Sequence, residues 1–110
     1  MYTNIQSIQS KLYELNVQAV ELNPDIILLT ETWCNPTVSD VTLTIPNYHL
    51  ETELRRDRED TTNGVGGGLL VYAKTGLRIL PSDKFKNNEF IQFCNFIVQT
   101  KGEPLHIVLV

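Results

Sequence analysis

A chain of 110 residues, 42% hydrophobic and 20% charged, has enough apolar material for one small domain with a core and is too apolar for a disordered segment. Its formal charge of −4 excludes a module that grips nucleic acid through one broad basic face. It leaves open an enzyme that meets phosphate through a metal ion, because the metal supplies positive charge locally.

No apolar run reaches the length of a membrane span, and the N-terminus lacks the basic-then-apolar layout of a signal peptide. The chain therefore reads as intracellular, the nucleus included, with no membrane partner and no secretion. Cys34 and Cys94 lie far apart without C-x-x-C spacing, and with two histidines they do not make a zinc set. Both read as free thiols, Cys94 as a small core residue.

Residues 1–5 read as the tail of a strand. Ile8, Leu12, Leu15, Ala19 and Leu22 then follow at spacings that place them on one helical stripe. Ser7 or Ser10 is the expected N-cap and Asn23-Pro24 the stop, with Lys11, Glu14, Gln18 and Glu21 on the wet side. Next comes residues 24–33, Pro-Asp-Ile-Ile-Leu-Leu-Thr-Glu-Thr-Trp. Four consecutive aliphatic residues bounded by turn formers predict a strand buried on both faces, with Glu31 where the chain leaves the core. Strand tail, helix and buried strand make a βαβ-like unit with a parallel pair.

Residues 34–40 read as a loop and 48–54 as a strand. A charged block at 55–60 and a turn at Asn63-Gly64 lead to a second strand at 67–73, the two pairing as a hairpin with a long loop. A short strand at 77–80 ends at Pro81, and segments 90–100 and 105–110 flank Lys-Gly-Glu-Pro as an antiparallel hairpin. Both ends of the chain fall within strand-like residues, so a single partial domain, 1–110, truncated at both ends, is expected.

The run Gly64-Val65-Gly66-Gly67-Gly68 lacks the Gly-Lys-Ser/Thr ending of a phosphate loop and precedes a strand. Its glycines read as structural, permitting close backbone approach or a bulge. Arg55, Arg56 and Arg58 stand among acids, either as a solvated loop with local ion pairs or as a loop that reaches a phosphate backbone. His49 and His106 have no partners at triad spacing, and Trp33 reads as packing on the sheet in preference to stacking on a base. Asn4 and Glu31 remain. At the carboxyl ends of parallel neighbours they are expected to face one crevice, where ligands of open α/β sheets bind. A hard cation such as Mg²⁺ is often held there by one or two carboxylates, water and substrate phosphate.

In order along the chain, Asn4-Ile5-Gln6-Ser7-Ile8 with Lys11, Pro24-Asp25-Ile26-Ile27 and Thr30-Glu31-Thr32-Trp33 resemble the start of the endonuclease/exonuclease/phosphatase (DNase I-like) superfamily. Ile45-Pro46-Asn47-Tyr48, Arg56-Asp57-Arg58 and Gly66-Gly67-Gly68-Leu69-Leu70-Val71-Tyr72 narrow the resemblance to the endonuclease domain of non-LTR (LINE-type) retrotransposons. The resemblance runs from Asn4 to about Lys74. It implies an α/β (α+β) chain that forms the N-terminal half of a four-layered sandwich, with mixed, mostly antiparallel sheets. It also implies a Mg²⁺- or Mn²⁺-dependent hydrolase that nicks DNA, with a reverse transcriptase in the same polyprotein. By position, Glu31 matches the metal-binding glutamate and Asn4 the asparagine that positions the phosphate; both are the implied catalytic residues. Gln6 stands where relatives acting on apurinic sites carry aspartate. The family's later tyrosine, Asp-x-Asn and Asp-His pair would lie beyond Val110, so the chain is expected to be inactive alone. Two rival readings are a phosphomonoesterase of the same superfamily and a non-catalytic interaction module.

Overall fold

A computed structural model of the chain describes residues 1–58, 67–82 and 92–110. In chain order they form β1 (Tyr2–Asn4), α1 (Leu12–Leu22), β2 (Ile26–Thr30), a 3₁₀ turn (Asp40–Leu43) and β3 (Tyr48–Leu50). A second 3₁₀ turn (Thr52–Leu54), β4 (Leu69–Lys74), β5 (Ile79–Pro81), β6 (Cys94–Val98) and β7 (Leu105–Leu109) follow. One sheet has the order β1-β2-β4-β3 and the other β5-β6-β7. β1 and β2 are parallel neighbours, with Asn4 opposite Thr30, and the other strand pairs among the described residues are antiparallel. The fold is α+β, and the expected parallel pair and both expected hairpin pairings are present.

The aliphatic run of β2 has no solvent face, and each side meets a different core. Ile27 and Leu29, both fully buried, pack with Ile8, Leu15 and Ala19 on the helix side and with Leu70 and Tyr72 of β4. Ile26 and Leu28 pack on the opposite side, against the core built from Val71, Phe96, Val98 and Leu109. Each fully buried aliphatic side chain contributes roughly 1.5–3 kcal/mol. The layers are therefore helix, first sheet and second sheet, with β2 and β4 central.

The helix departs from its expected pattern at both ends. Ile8 is buried but precedes α1, and Lys11 stands at the N-cap with no side-chain capping bond. The cause is long-range. Ile5 N–H donates to Thr30, Ser7 N–H to Glu31 and Ile8 N–H to Thr32, so the β1–β2 ladder holds the chain until Ile8 and delays the helix. Ser10 Oγ donates to the Ser7 carbonyl instead of capping, and Lys11 Nζ turns inward to the Ile5 carbonyl at 2.7 Å instead of pointing to water. At the far end, Asn23 enters the left-handed region (φ 47°) with its N–H on the Ala19 carbonyl, and Leu22 is left exposed. Tyr13, Val17 and Val20 are exposed too.

The strand expected over residues 48–54 stops at Leu50. The 3₁₀ turn that replaces its second half carries Leu54 into the core between the sheets. β4 begins at Leu69 because Gly67 and Gly68 hold φ of +78° and +103°. Asn63, Gly64, Gly66 and the start of the expected 90–100 strand lie outside the described residues. Both cysteines are buried and free, and burial pushes both thiols up, Cys94 to about 11. Among the described residues no helix is long and apolar enough to cross a membrane.

Candidate functional site

The site starts where β2 ends. Glu31 and Trp33 both hold left-handed backbone (φ 54° and 59°), on either side of the buried Thr32. Such conformations cost roughly 1–3 kcal/mol each for residues with a side chain, and persist only where surrounding bonds over-determine them. Here the bonds come from both neighbours. Residues 5–8 hold the Thr30, Glu31 and Thr32 carbonyls from one side. From the other, Thr32 N–H and Trp33 N–H donate to the carbonyls of Gly68 (3.3 Å) and Gly67 (2.9 Å).

The left-handed turn takes Glu31 out of the strand's alternation and brings its carboxylate to the β4 side. Oε2 accepts two hydrogen bonds, from Gly67 N–H and from the indole Nε1–H of Trp33, each at 3.0 Å. Among the described residues Oε1 takes none. The half-buried carboxylate lines a cleft of about 310 Å³ with Gly67, Gly68, Gln92 and Val110, where the end of β2 meets the end of the second sheet.

The glycines are needed at this point. A Cβ on Gly68 would stand 2.2 Å from Thr32 Oγ1 and 3.2 Å from the Trp33 nitrogen. Close backbone approach is thus the role of Gly68, as expected, while Gly67 supplies the positive φ. Gln92 crosses the gap: its Oε1 accepts Gly68 N–H at 2.8 Å and its Nε2 donates to the Asp57 carbonyl. Sequence reasoning missed Gln92, which lies in strand-like residues with no marker of its own. It also read Trp33 as packing, although adjacency to Glu31 was a signal that the indole N–H had a partner to meet.

Asn4 lies one strand from Thr30, at the expected neighbouring carboxyl end. It is not among the residues that line the Glu31 cleft. It lines a separate depression of about 190 Å³ with Lys11, Glu14 and Gln18. The expected single crevice is therefore divided, because the turn at Glu31 sends its carboxylate toward Gly67, ahead of β4, and away from β1.

The three arginines differ. Arg55 is an internal strut, its side chain only 12% exposed, with Nε on Asp57 (2.7 Å), one terminal nitrogen on Asp40 (2.6 Å) and the other on the Asn35 and Val38 carbonyls. Arg56 donates to the Glu53 and Arg55 carbonyls. Arg58 gives its backbone N–H to Cys34 and passes over Gly67, where an added Cβ would meet its Cα at 3.4 Å. Its side chain forms no ion pair among the described residues. His106 Nε2 lies 3.3 Å from Asn95 Oδ1 on the second sheet.

Among the described residues no three His, Cys, Asp or Glu side chains gather to hold a metal. Glu31 offers one carboxylate beside an open cleft. No protein-family model matches the chain, and no match was found among curated proteins.

Proposed function

We propose that the chain is the N-terminal half of a DNase I-like endonuclease domain of the non-LTR retrotransposon type, and that Glu31 is one ligand of its Mg²⁺ (or Mn²⁺). The observation that carries this is the placement of Glu31: at the carboxyl end of a strand covered on both faces, in a strained turn, with its Oε2 held by two N–H donors and the residue lining an open cleft. The ordered motifs from Asn4 to Lys74 supply the family.

A single carboxylate fits Mg²⁺, which keeps several waters and takes substrate phosphate as further ligands. Bound there, the ion would neutralise charge developing on the phosphodiester. Within this chain Glu31 binds, and the bonds from both neighbouring strands hold its backbone. Arg58, and less so Arg56, have donors to offer a DNA backbone, whereas those of Arg55 are committed internally. The 110 residues contain no Asp-x-Asn and no Asp-His pair, and so no evident base for water and no histidine for the phosphate in transit.

The test is nicking of supercoiled plasmid with Mg²⁺ by the product of the whole reading frame. Loss of nicking in Glu31→Ala supports the reading. Nicking indifferent to that change, or hydrolysis of phosphoinositides in its place, rejects it. The 110-residue chain alone is expected to leave plasmid intact, and cleavage that vanishes in Glu31→Ala would overturn that expectation.

A further inference from the structure

We propose that Trp33 is a positioning residue for Glu31: its indole N–H, with the Gly67 amide, fills one carboxylate oxygen so that the other alone is presented to a cation. The inference rests on the reading of Glu31 as a metal ligand and adds how the ligand is held. A carboxylate oxygen has two lone-pair directions, and Oε2 receives two N–H donors at 3.0 Å. They come from different segments, one from two residues along the chain and one from Gly67, two residues before β4. The left-handed turn, with Trp33 at φ 59°, places the indole, and the bond from Trp33 N–H to the Gly67 carbonyl brings the Gly67 segment alongside.

The consequence is a carboxylate with a fixed rotamer and one open oxygen. Glu31 would then offer a cation one oxygen, which suits a small ion that keeps its waters better than Ca²⁺, which often takes carboxylates bidentately. Partners that orient ligating groups in this way change metal affinity by roughly 10–100-fold when removed. Trp33 is also the chain's single tryptophan, so its indole resonance reports on this one bond without interference.

Two measurements test the inference, the first on the 110-residue chain and the second on the product of the whole reading frame. In the metal-free protein, the lone indole N–H resonance is expected to move upfield in Glu31→Ala, as it loses a carboxylate acceptor. A resonance that stays in place overturns the clamp, whatever the metal does. Mn²⁺ affinity is then measured from the paramagnetic resonance of free Mn²⁺ for the unaltered product, Glu31→Ala and Trp33→Phe, with folding of each checked by circular dichroism. The expected order is binding by the unaltered product, about tenfold weaker binding by Trp33→Phe, and none by Glu31→Ala. Equal affinity of Trp33→Phe and the unaltered product overturns the positioning role and leaves the metal reading standing. No Mn²⁺ binding by the unaltered product fails the metal reading and the positioning role with it, while a shifted indole resonance would still show the bond itself.

Discussion

Gly68→Ala should be far more damaging than the same change at Gly76, and the structure separates the two contributions. Both glycines sit in backbone that side chains rarely adopt, with φ of +103° at Gly68 and +96° at Gly76. That strain costs roughly 1–3 kcal/mol at either position. The loss of unfolded-state entropy offsets it by about 0.4–1 kcal/mol, equally in both variants. Around Gly76 a new methyl meets nothing within 4 Å, whereas at Gly68 it would overlap Thr32 Oγ1 at 2.2 Å. Thr32 is 1% exposed and its Oγ1 accepts the Cys34 N–H, so it has little room to yield. Overpacking of this kind adds roughly 1–3 kcal/mol. With a urea m-value of about 1–3 kcal/mol/M, Gly68→Ala should lower the unfolding midpoint by about 1 M more than Gly76→Ala. Adding Thr32→Ala should recover about 0.5–3 kcal/mol of that difference in a double-mutant cycle. If Gly68→Ala costs no more than Gly76→Ala, or if Thr32→Ala recovers nothing, the close packing of β2 on the start of β4 is wrong.

Arg55→Met should lose about 1–3 kcal/mol in the same urea assay. It strips the Asn35 and Val38 carbonyls of their donor and leaves Asp57 unpaired, discounted because Asp40 is 46% exposed. Tyr72→Phe should cost about 1–2 kcal/mol, because the fully buried hydroxyl donates to the Leu43 carbonyl at 2.7 Å; a loss below about 0.3 kcal/mol would show that water replaces it. Alkaline pH should also destabilise the fold. Burial raises the Cys94 thiol from 9.0 to about 11, so the folded state keeps a proton that the unfolded chain releases. The resulting stability is complete below pH 9 and lost toward pH 11, with a slope of at most about 1.4 kcal/mol per unit from this group. Cys94→Ala should flatten that slope in unfolding curves taken between pH 8 and 11, and an unchanged slope would place the titration elsewhere.

What the sequence disclosed follows from which forces are local. An unbroken aliphatic quartet such as Ile26 to Leu29 has no solvent face, so its burial between two cores was legible from four letters. The turn at 101–104 announced the β6–β7 hairpin in the same way. The start of α1 was not legible, because the ladder that delays it joins residues 5–8 to a strand more than twenty positions on. The end of β3 depends on Leu54 finding a core made by β6 and β7. Glu31 could be placed at a strand end, yet its partner Gly67 lies 36 residues away and Gln92 further still. Arg55 read as a solvated charge because two of its acceptors are carbonyls of a loop whose path no residue of that loop dictates.

The doubly covered β2 carries one more implication. A strand with one wet face declares its pairing, since sliding by a single position would bury its polar set. β2 has no such penalty: Ile26 and Leu28 would suit the places of Ile27 and Leu29 nearly as well. Alignment must come from beyond the strand, and two features there tolerate no slip: the turn at Glu31 to Trp33 and the glycine pressed against Thr32. The residues that present the carboxylate are then also the ones that keep the central strand from threading one notch out of place. A substitution there would be read out twice, in what the cleft binds and in whether the sheet assembles in step.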